Sequence, residues 1–398
     1  MLVGSAVAII AKNNNIFAAR LGATDYQLSL VQFLPQMLVL CILIPGGLFA
    51  DSLYNKQRMV IAMLAAAALG MLLCALSPFT EDYAIPFFLV SLSLTGGAMA
   101  LFNVAWQAFF PEVIDINIRN RVLTQRTRFT ISANIVMPLL IGIVLANSTL
   151  LNKKIIAHQG FYAASALLVI LAAINFHKLR ALQPAEPKRI TFFGIKKIIK
   201  TLLGNRQFMV FTGVALFFHM TWHIDWTLYF IGQLHYLNMN EFMLGLVLVG
   251  TTTAQLATLK FWSRMNERRG VVLPFTFGIL GLSLCPLSMI AAVSLSVSIG
   301  PYAFLVLHTV SHLTFASITL NLYQCLLYTA DKEHRGFSMS VYSTFICLSN
   351  AIMPVVGVAL YHALGGDLNG FRVTFGIIFA LRIAAAGLWL LSWKELSH

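Results

Sequence analysis

The chain has 398 residues, of which 59% are hydrophobic and only 10% charged. A soluble domain would carry about 25% charged residues, so most of this surface must face lipid rather than water. The net charge of +13 is not a nucleic-acid footprint, because the basic residues sit in short loops at alternate ends of apolar segments.

A membrane span needs about 20 apolar residues. Twelve such segments follow in chain order: 1–19, 27–49, 58–78, 84–106, 128–148, 158–177, 207–231, 241–260, 271–293, 299–326, 338–360 and 373–392. Lys12 and Asn13 to Asn15 split the first. The start lacks the basic n-region and cleavage site of a secretory signal. With the N-terminus in the cytoplasm, twenty-one Lys and Arg lie in the loops after even-numbered spans and in the tail, and four on the other side. That bias places both termini in the cytoplasm of a multi-pass protein of the cell (inner) membrane.

Between spans 6 and 7 a longer loop, 179–206, divides an N-terminal six-helix bundle, 1–178, from a C-terminal one, 207–398. Its segment with Ile195, Ile198, Ile199 and Leu202 on one helical face and Lys196, Lys197 and Lys200 off it suits a helix lying on an anionic leaflet. A solvated linker is the competing reading. Cys41, Cys74, Cys285, Cys325 and Cys347 all fall inside apolar segments without metal-ligand or disulfide spacing, and are read as packing residues.

The two halves repeat. Adding 216 to a residue number carries LGATDYQLSL at Leu21 onto LNMNEFMLGL at Leu237. Asp25 falls on Glu241, Asp51 on Glu267, Arg119 on Arg335, and Asn134, Met137 and Pro138 on Asn350, Met353 and Pro354. An internal repeat in a polytopic membrane chain is the mark of many transporters. Each proline frees a backbone carbonyl, and the nearby asparagine is placed to bond it or a neighbouring helix, giving both halves a kink.

After span 2 the chain reads Gly47-Leu-Phe-Ala-Asp51-Ser-Leu-Tyr-Asn-Lys56-Gln-Arg58. This resembles the loop motif G-x-L-A-D-R-x-G-R-R of the major facilitator superfamily, with Tyr54 in place of glycine and Asn55 in place of the first arginine. The bridge 103–121 is also similar to bacterial members. The resemblance implies an all-α fold of two six-helix bundles, a monomer, and a central cavity lined by spans 1, 4, 7 and 10. Gly47 is expected to let two helices approach closely. Asp51, with Lys56 and Arg58, is expected to latch one access state, and Glu267 and Arg268 repeat this loosely in the second half. The glycine that precedes proline in span 5 of drug/proton antiporters is Met137 here. This favours uptake over efflux.

Charge inside a bilayer costs roughly 2.5–3.5 kcal/mol per residue and persists where it lines a cavity or has a partner. Span 7 carries His219, Trp222, His223 and Trp226 within about 100° of helix arc, with Asp225 at the edge. Span 10 carries His308 and His312 one turn apart. Span 4 presents Asn103, Trp106 and Gln107, and span 1 presents Lys12 and Asn14. Together these read as a site for a small solute with anionic or hydroxyl groups, with Asp225 and His223 exchanging protons. Competing readings make Asp225 a structural partner of Lys12 or of a histidine, the histidines packing residues, Trp222 and Trp226 interface anchors, and Arg382 a structural ion pair. Trp389 and Trp393 are read as interface anchors. The two histidine pairs have the ligand type for a metal site, but neither a metal site nor a cofactor is expected, and no nucleotide-binding loop is present. The expectation is a proton-coupled secondary transporter in contact with lipid and without nucleic acid. A membrane enzyme acting on lipid-linked substrates and a non-transporting sensor are the readings from other classes.

Overall fold

The computed structural model describes residues 2–10, 13–147, 150–179, 204–329 and 335–392. Among them there is no strand. The chain divides into two compact units, Met1–Ile190 and Thr191–His398. Lys12, the basic segment 195–202 and Trp393 lie outside the described residues.

The first unit contains α1 (Leu2–Ile10), α2 (Asn14–Arg20), α3 (Asp25–Ser52), α4 (Lys56–Leu76), α5 (Ala84–Val113), α6 (Ile116–Ala146) and α7 (Leu151–His177). The second contains α8 (Arg206–His223), α9 (Trp226–Ile231), α10 (Glu241–Arg269), α11 (Val272–Val293), α12 (Gly300–Ser311), α13 (Phe315–Thr329), α14 (Arg335–Ala363) and α15 (Leu368–Leu391). Counting α1–α2, α8–α9 and α12–α13 each as one interrupted span, both units are six-helix bundles. Eight stretches of the described residues are long and apolar enough to cross a membrane by themselves. Spans 3 and 4 run together as Lys56–Gln107 across a 3-10 turn at Ser77–Tyr83. Span 5 keeps a shorter apolar stretch, Ser132–Ala146, and span 7 is broken.

Helix starts are written into the sequence. Thr24 caps α3, with its hydroxyl accepting from Gln27 N and the Gln27 side chain accepting from Thr24 N. Asn240, 216 residues on, caps α10 by accepting from Met243 N at 2.9 Å. Asp25 and Glu241 stand next in line and favour the positive end of the helix dipole. Asn55, Asn205 and Asp367 cap α4, α8 and α15 in the same way.

Each bundle has one central helix. In the first unit α4 packs between α5 and α7; in the second α11 packs against α15, α12 and α13. The core around α11 is aromatic: Phe211, Phe218, Phe275 and Trp389 are all fully buried, and the Phe275 and Trp389 rings lie 4.0 Å apart. Trp389 is therefore a core residue and not the interface anchor its position near the chain end suggested. Leucines such as Leu69, Leu72 and Leu167 point outward, as a lipid-facing surface requires.

Candidate functional site

Span 7 breaks at the acid the sequence places inside it, Asp225. α8 ends at His223 and α9 starts at Trp226, with Ile224 and Asp225 between them. Neither glycine nor proline occupies the break; side chains inserted into the hydrogen-bond ladder account for it. Arg382 of α15 donates from Nε to the Thr221 carbonyl at 3.2 Å and from Nη1 to the Leu282 carbonyl of α11 at 2.9 Å. Its Nη2 donates to Asp225 Oδ2 at 2.6 Å. Both partners are buried, with side chains 0% and 1% exposed. Asp225 thus pairs with Arg382, where Lys12 and the histidines had been considered. The other carboxylate oxygen, Asp225 Oδ1, is buried and completes no hydrogen bond among the described residues, and the same holds for Tyr229 Oη one helical turn on.

α14 closes over the break. A Cβ on Gly357 would lie 1.9 Å from the Ile224 carbonyl oxygen, so only glycine permits this approach. From the same helix Tyr342 Oη shares a hydrogen bond of 3.2 Å with His219 Nε2, and Ser349 Oγ one of 3.1 Å with His223 Nδ1. The arc foreseen for span 7 is present as a ring cluster. His219 and His223 centroids lie 5.2 Å apart, His223 and Trp226 4.6 Å, and Trp222 and Trp226 5.6 Å. His219 and His223 are buried, whereas Trp222 and Trp226 are half-buried. His308 and His312 join the same unit by way of Phe315, whose ring is 5.7 Å from His312 and 5.1 Å from Trp222. Span 10 is itself interrupted at His312 by a 3-10 turn, His312–Thr314.

The candidates of the first unit are less gathered. Asn14 Oδ1 accepts from Tyr162 of α7 at 2.6 Å. Trp106 is half-buried and packs edge-on against Phe176 at 4.9 Å and Phe110 at 5.3 Å. Asn103 and Gln107 on the same helix are exposed. Of the asparagines that split span 1, Asn13 is buried and donates to the Ile9 carbonyl at the α1–α2 bend.

A model of the Major Facilitator Superfamily matches residues 1–236 and again 224–396. The chain belongs to the major facilitator superfamily. Solved structures with the same fold include a bacterial homologue of the iron transporter ferroportin, inward-facing, at TM-score 0.75 and 11% identity, covering 100% of this chain and 96% of that one. A bacterial homologue of the human lysosomal transporter Spinster, inward-facing and unoccupied, matches at TM-score 0.69 and 11% identity over 99% and 95% of the two chains. A D-xylose–proton symporter matches at TM-score 0.71 and 15% identity over 99% and 95%. No curated protein sequence matches the chain.

The superfamily loop motif has a local form here. Asn55, in place of the usual arginine, accepts from Arg58 N and caps α4. Lys56 is buried and paired with Glu112 at the end of α5, a partner the motif did not reveal. Gln57 donates to the last two carbonyls of α7, at Phe176 and His177, and to that of Leu179 just beyond it. The close helix approach expected at Gly47 falls instead on Gly46, where a Cβ would lie 2.1 Å from Leu101; at Gly47 the nearest atom is 3.9 Å away. Asp51 is the penultimate residue of α3 and its side chain lies outside the described residues; Arg58 is exposed. Glu267 and Arg268 are exposed residues of α10, which extends as helix to Arg269 where a loop was expected. Pro138 and Pro354 do lie inside α6 and α14. No bond from Asn134 or Asn350 to a freed carbonyl occurs among the described residues; Asn134 is exposed and Asn350 Oδ1 is buried without a partner.

Proposed function

We propose that this superfamily member is a proton-coupled secondary transporter that takes up a small solute by alternating access. In this reading it sits in the inner membrane with both termini in the cytoplasm. The observation that carries it is Asp225: a buried carboxylate at a helix break, with one oxygen held by Arg382 and the other without a partner. Proton arrival at Oδ1 neutralises the carboxyl and releases Arg382, which also holds the Thr221 and Leu282 carbonyls. One protonation thereby alters the links between spans 7, 9 and 12. A group whose charge is coupled to helix contacts in this way is what proton-driven alternating access requires. That a D-xylose–proton symporter has the same fold supports this reading.

His219, Trp222, His223 and Trp226 are the proposed solute contacts of the second unit, where half-buried rings and ring nitrogens suit hydroxyl or anionic groups. Lys12, Asn14, Asn103, Trp106 and Gln107 are the corresponding proposal for the first, and the 21-to-4 basic asymmetry supports the orientation. Met137 at the antiporter glycine position supports uptake.

The test begins with a solute panel read by thermal stabilisation in detergent. A stabilising solute then goes into proteoliposomes carrying an internal pH indicator. We expect solute entry to carry protons inward, and Asp225→Asn to retain solute exchange while losing the proton signal. Solute accumulation driven equally well by Asp225→Asn would reject the coupling role.

A further inference from the structure

One cluster of metal-binding side chains lies outside the Asp225–Arg382 pair. Cys285 of α11, His308 of α12 and His312 just after it each offer a ligand atom, and the three atoms lie within 4.8 Å of one another. Cys285 Sγ is 3.7 Å from His312 Nδ1 and 3.1 Å from Ser311 Oγ. With Zn–S of about 2.3 Å and Zn–N of about 2.0–2.1 Å, a tetrahedral zinc ion separates its sulfur and nitrogen ligands by roughly 3.6 Å. Ligand atoms within 4.8 Å of one another reach that separation with small side-chain rotations.

The surrounding hydrogen bonds fit ligation. Ser288 Oγ donates to the Cys285 carbonyl at 2.6 Å. Its oxygen therefore accepts from His308 Nδ1, 3.3 Å away, which leaves the lone pair of His308 on Nε2. Donation of the second ring nitrogen to a fixed oxygen is the usual orientation of a metal-bound histidine. His312 Nδ1 lies 2.8 Å from the His308 carbonyl. A carbonyl only accepts, so Nδ1 carries the proton and the lone pair of His312, like that of His308, is left on Nε2. The 3-10 turn at His312 creates this geometry, because it turns the second histidine back toward α11.

We propose that Cys285, His308 and His312 form a binding site for a borderline divalent cation of the zinc class. The ligand set of one thiolate sulfur and two imidazoles selects against Mg²⁺ and Ca²⁺, which prefer oxygen. Cys285 and His308 are buried while His312 is half-buried, so the set is open on one side. Three protein ligands and an open fourth position describe an exchangeable site rather than a sealed structural one. Binding releases the thiol proton of Cys285 and keeps both imidazoles neutral. The inference stands on ligand geometry and not on proton coupling, and metal binding is read without transport.

The experiment uses the full chain in detergent with any affinity tag removed. Zn²⁺ is titrated in competition with a chromophoric chelator, and Co²⁺ is added to a second sample for its absorption spectrum. We expect a single equivalent of tightly bound Zn²⁺ and a thiolate-to-cobalt charge-transfer band. Cys285→Ser should abolish the band and weaken Zn²⁺ binding by more than the roughly 10–100-fold that outer-shell changes cost. His312→Gln should weaken binding comparably, and Cys325→Ser should leave it unchanged. Metal-free melting of Cys285→Ser close to that of the parent protein separates ligand loss from misfolding; if that variant melts early, His312→Gln decides. Absence of tight Zn²⁺ binding in the parent, absence of the charge-transfer band, or undiminished parental affinity in both Cys285→Ser and His312→Gln would overturn the proposal.

Discussion

The two halves share a scaffold and differ in what they bury. The 216-residue offset carries Thr24 onto Asn240 as a helix cap and Gln27 N onto Met243 N as its donor. It carries the central helix α4 onto the central helix α11. At the ion pairs the correspondence stops. Subtracting 216 from Asp225 and Arg382 gives Ile9 and Ala166, both buried and apolar. Adding 216 to Lys56 and Glu112 gives Val272 and Tyr328. The first span of each half is interrupted at nearly equivalent places, yet the freed carbonyls find different donors. At the α1–α2 bend the Asn13 amide bonds the Ile9 carbonyl, and Ser165 Oγ of α7 reaches the Ala6 carbonyl at 3.3 Å. At the α8–α9 break a guanidinium from the last helix does both kinds of work and brings a carboxylate with it. The repeat encodes architecture; each copy places its buried ion pair at positions the other leaves uncharged.

The strongest way to break that comparison is to remove half of the second unit's pair. Asp225→Ala leaves Arg382 buried and unpaired, and should cost about 3–5 kcal/mol of stability, seen as early melting in detergent. Asp225→Ala with Arg382→Leu makes the second unit resemble the first. This double change should recover most of the melting temperature and still lack proton-coupled uptake. Full coupling in the double variant would show that the asymmetry has no functional meaning.

The first unit's pair should behave otherwise. Lys56 begins α4 and Glu112 lies in the last turn of α5, so both charges oppose their helix dipoles. Each end effect is worth up to about 1 kcal/mol, which lowers the expected loss for Lys56→Met to about 2–3 kcal/mol. Proton movement per solute should be unchanged. A lost proton signal in Lys56→Met would place coupling in both halves.

Gly357 sharpens the comparison at the level of packing, since its counterpart in the first unit is Ile141. Gly357→Ala would drive a methyl group into the Ile224 carbonyl and should destabilise by about 1–3 kcal/mol. Gly376→Ala and Gly387→Ala, where a Cβ meets open space, should be neutral or stabilising by up to about 1 kcal/mol. Equal melting temperatures for the three variants would mean that α14 does not rest on the helix break.

The sequence showed the helices and the unusual residues but not their partners. Apolar runs locate each span because bilayer thickness sets a length. The arc of His219, Trp222, His223 and Trp226 follows from helical period alone. Arg382, the partner of Asp225, lies 157 residues away, and Tyr342 and Ser349 lie more than a hundred residues from the histidines they bond. No local period carries such information. The nearness of Cys285 to His308 and His312 is hidden in the same way, because those two come from the next helix and from the 3-10 turn after it, with neither glycine nor proline to announce it. The tight contact at Gly46 could not be told from one at Gly47, because adjacent glycines are equally permissive and only the opposing Leu101 distinguishes them.

The smallest predicted effect bears on the part of the comparison that the offset does explain. If the repeat conserves helix starts for one physical reason, the two caps should contribute similarly. Thr24→Ala removes the hydroxyl that accepts from Gln27 N, at 3.3 Å, and half of a reciprocal pair, since the Gln27 side chain still accepts from Thr24 N. Asn240→Ala removes a single, shorter bond of 2.9 Å to Met243 N. Each should cost about 0.5–2 kcal/mol, and the surviving half of the Thr24 box should keep that loss at the lower end. Melting curves of the two single variants and the double variant test this directly. Additive losses of similar size fit two independent copies of one device. A cost at Asn240 several-fold above that at Thr24 would mean that the second unit, strained by its broken span and buried charges, depends on its scaffold more than the first.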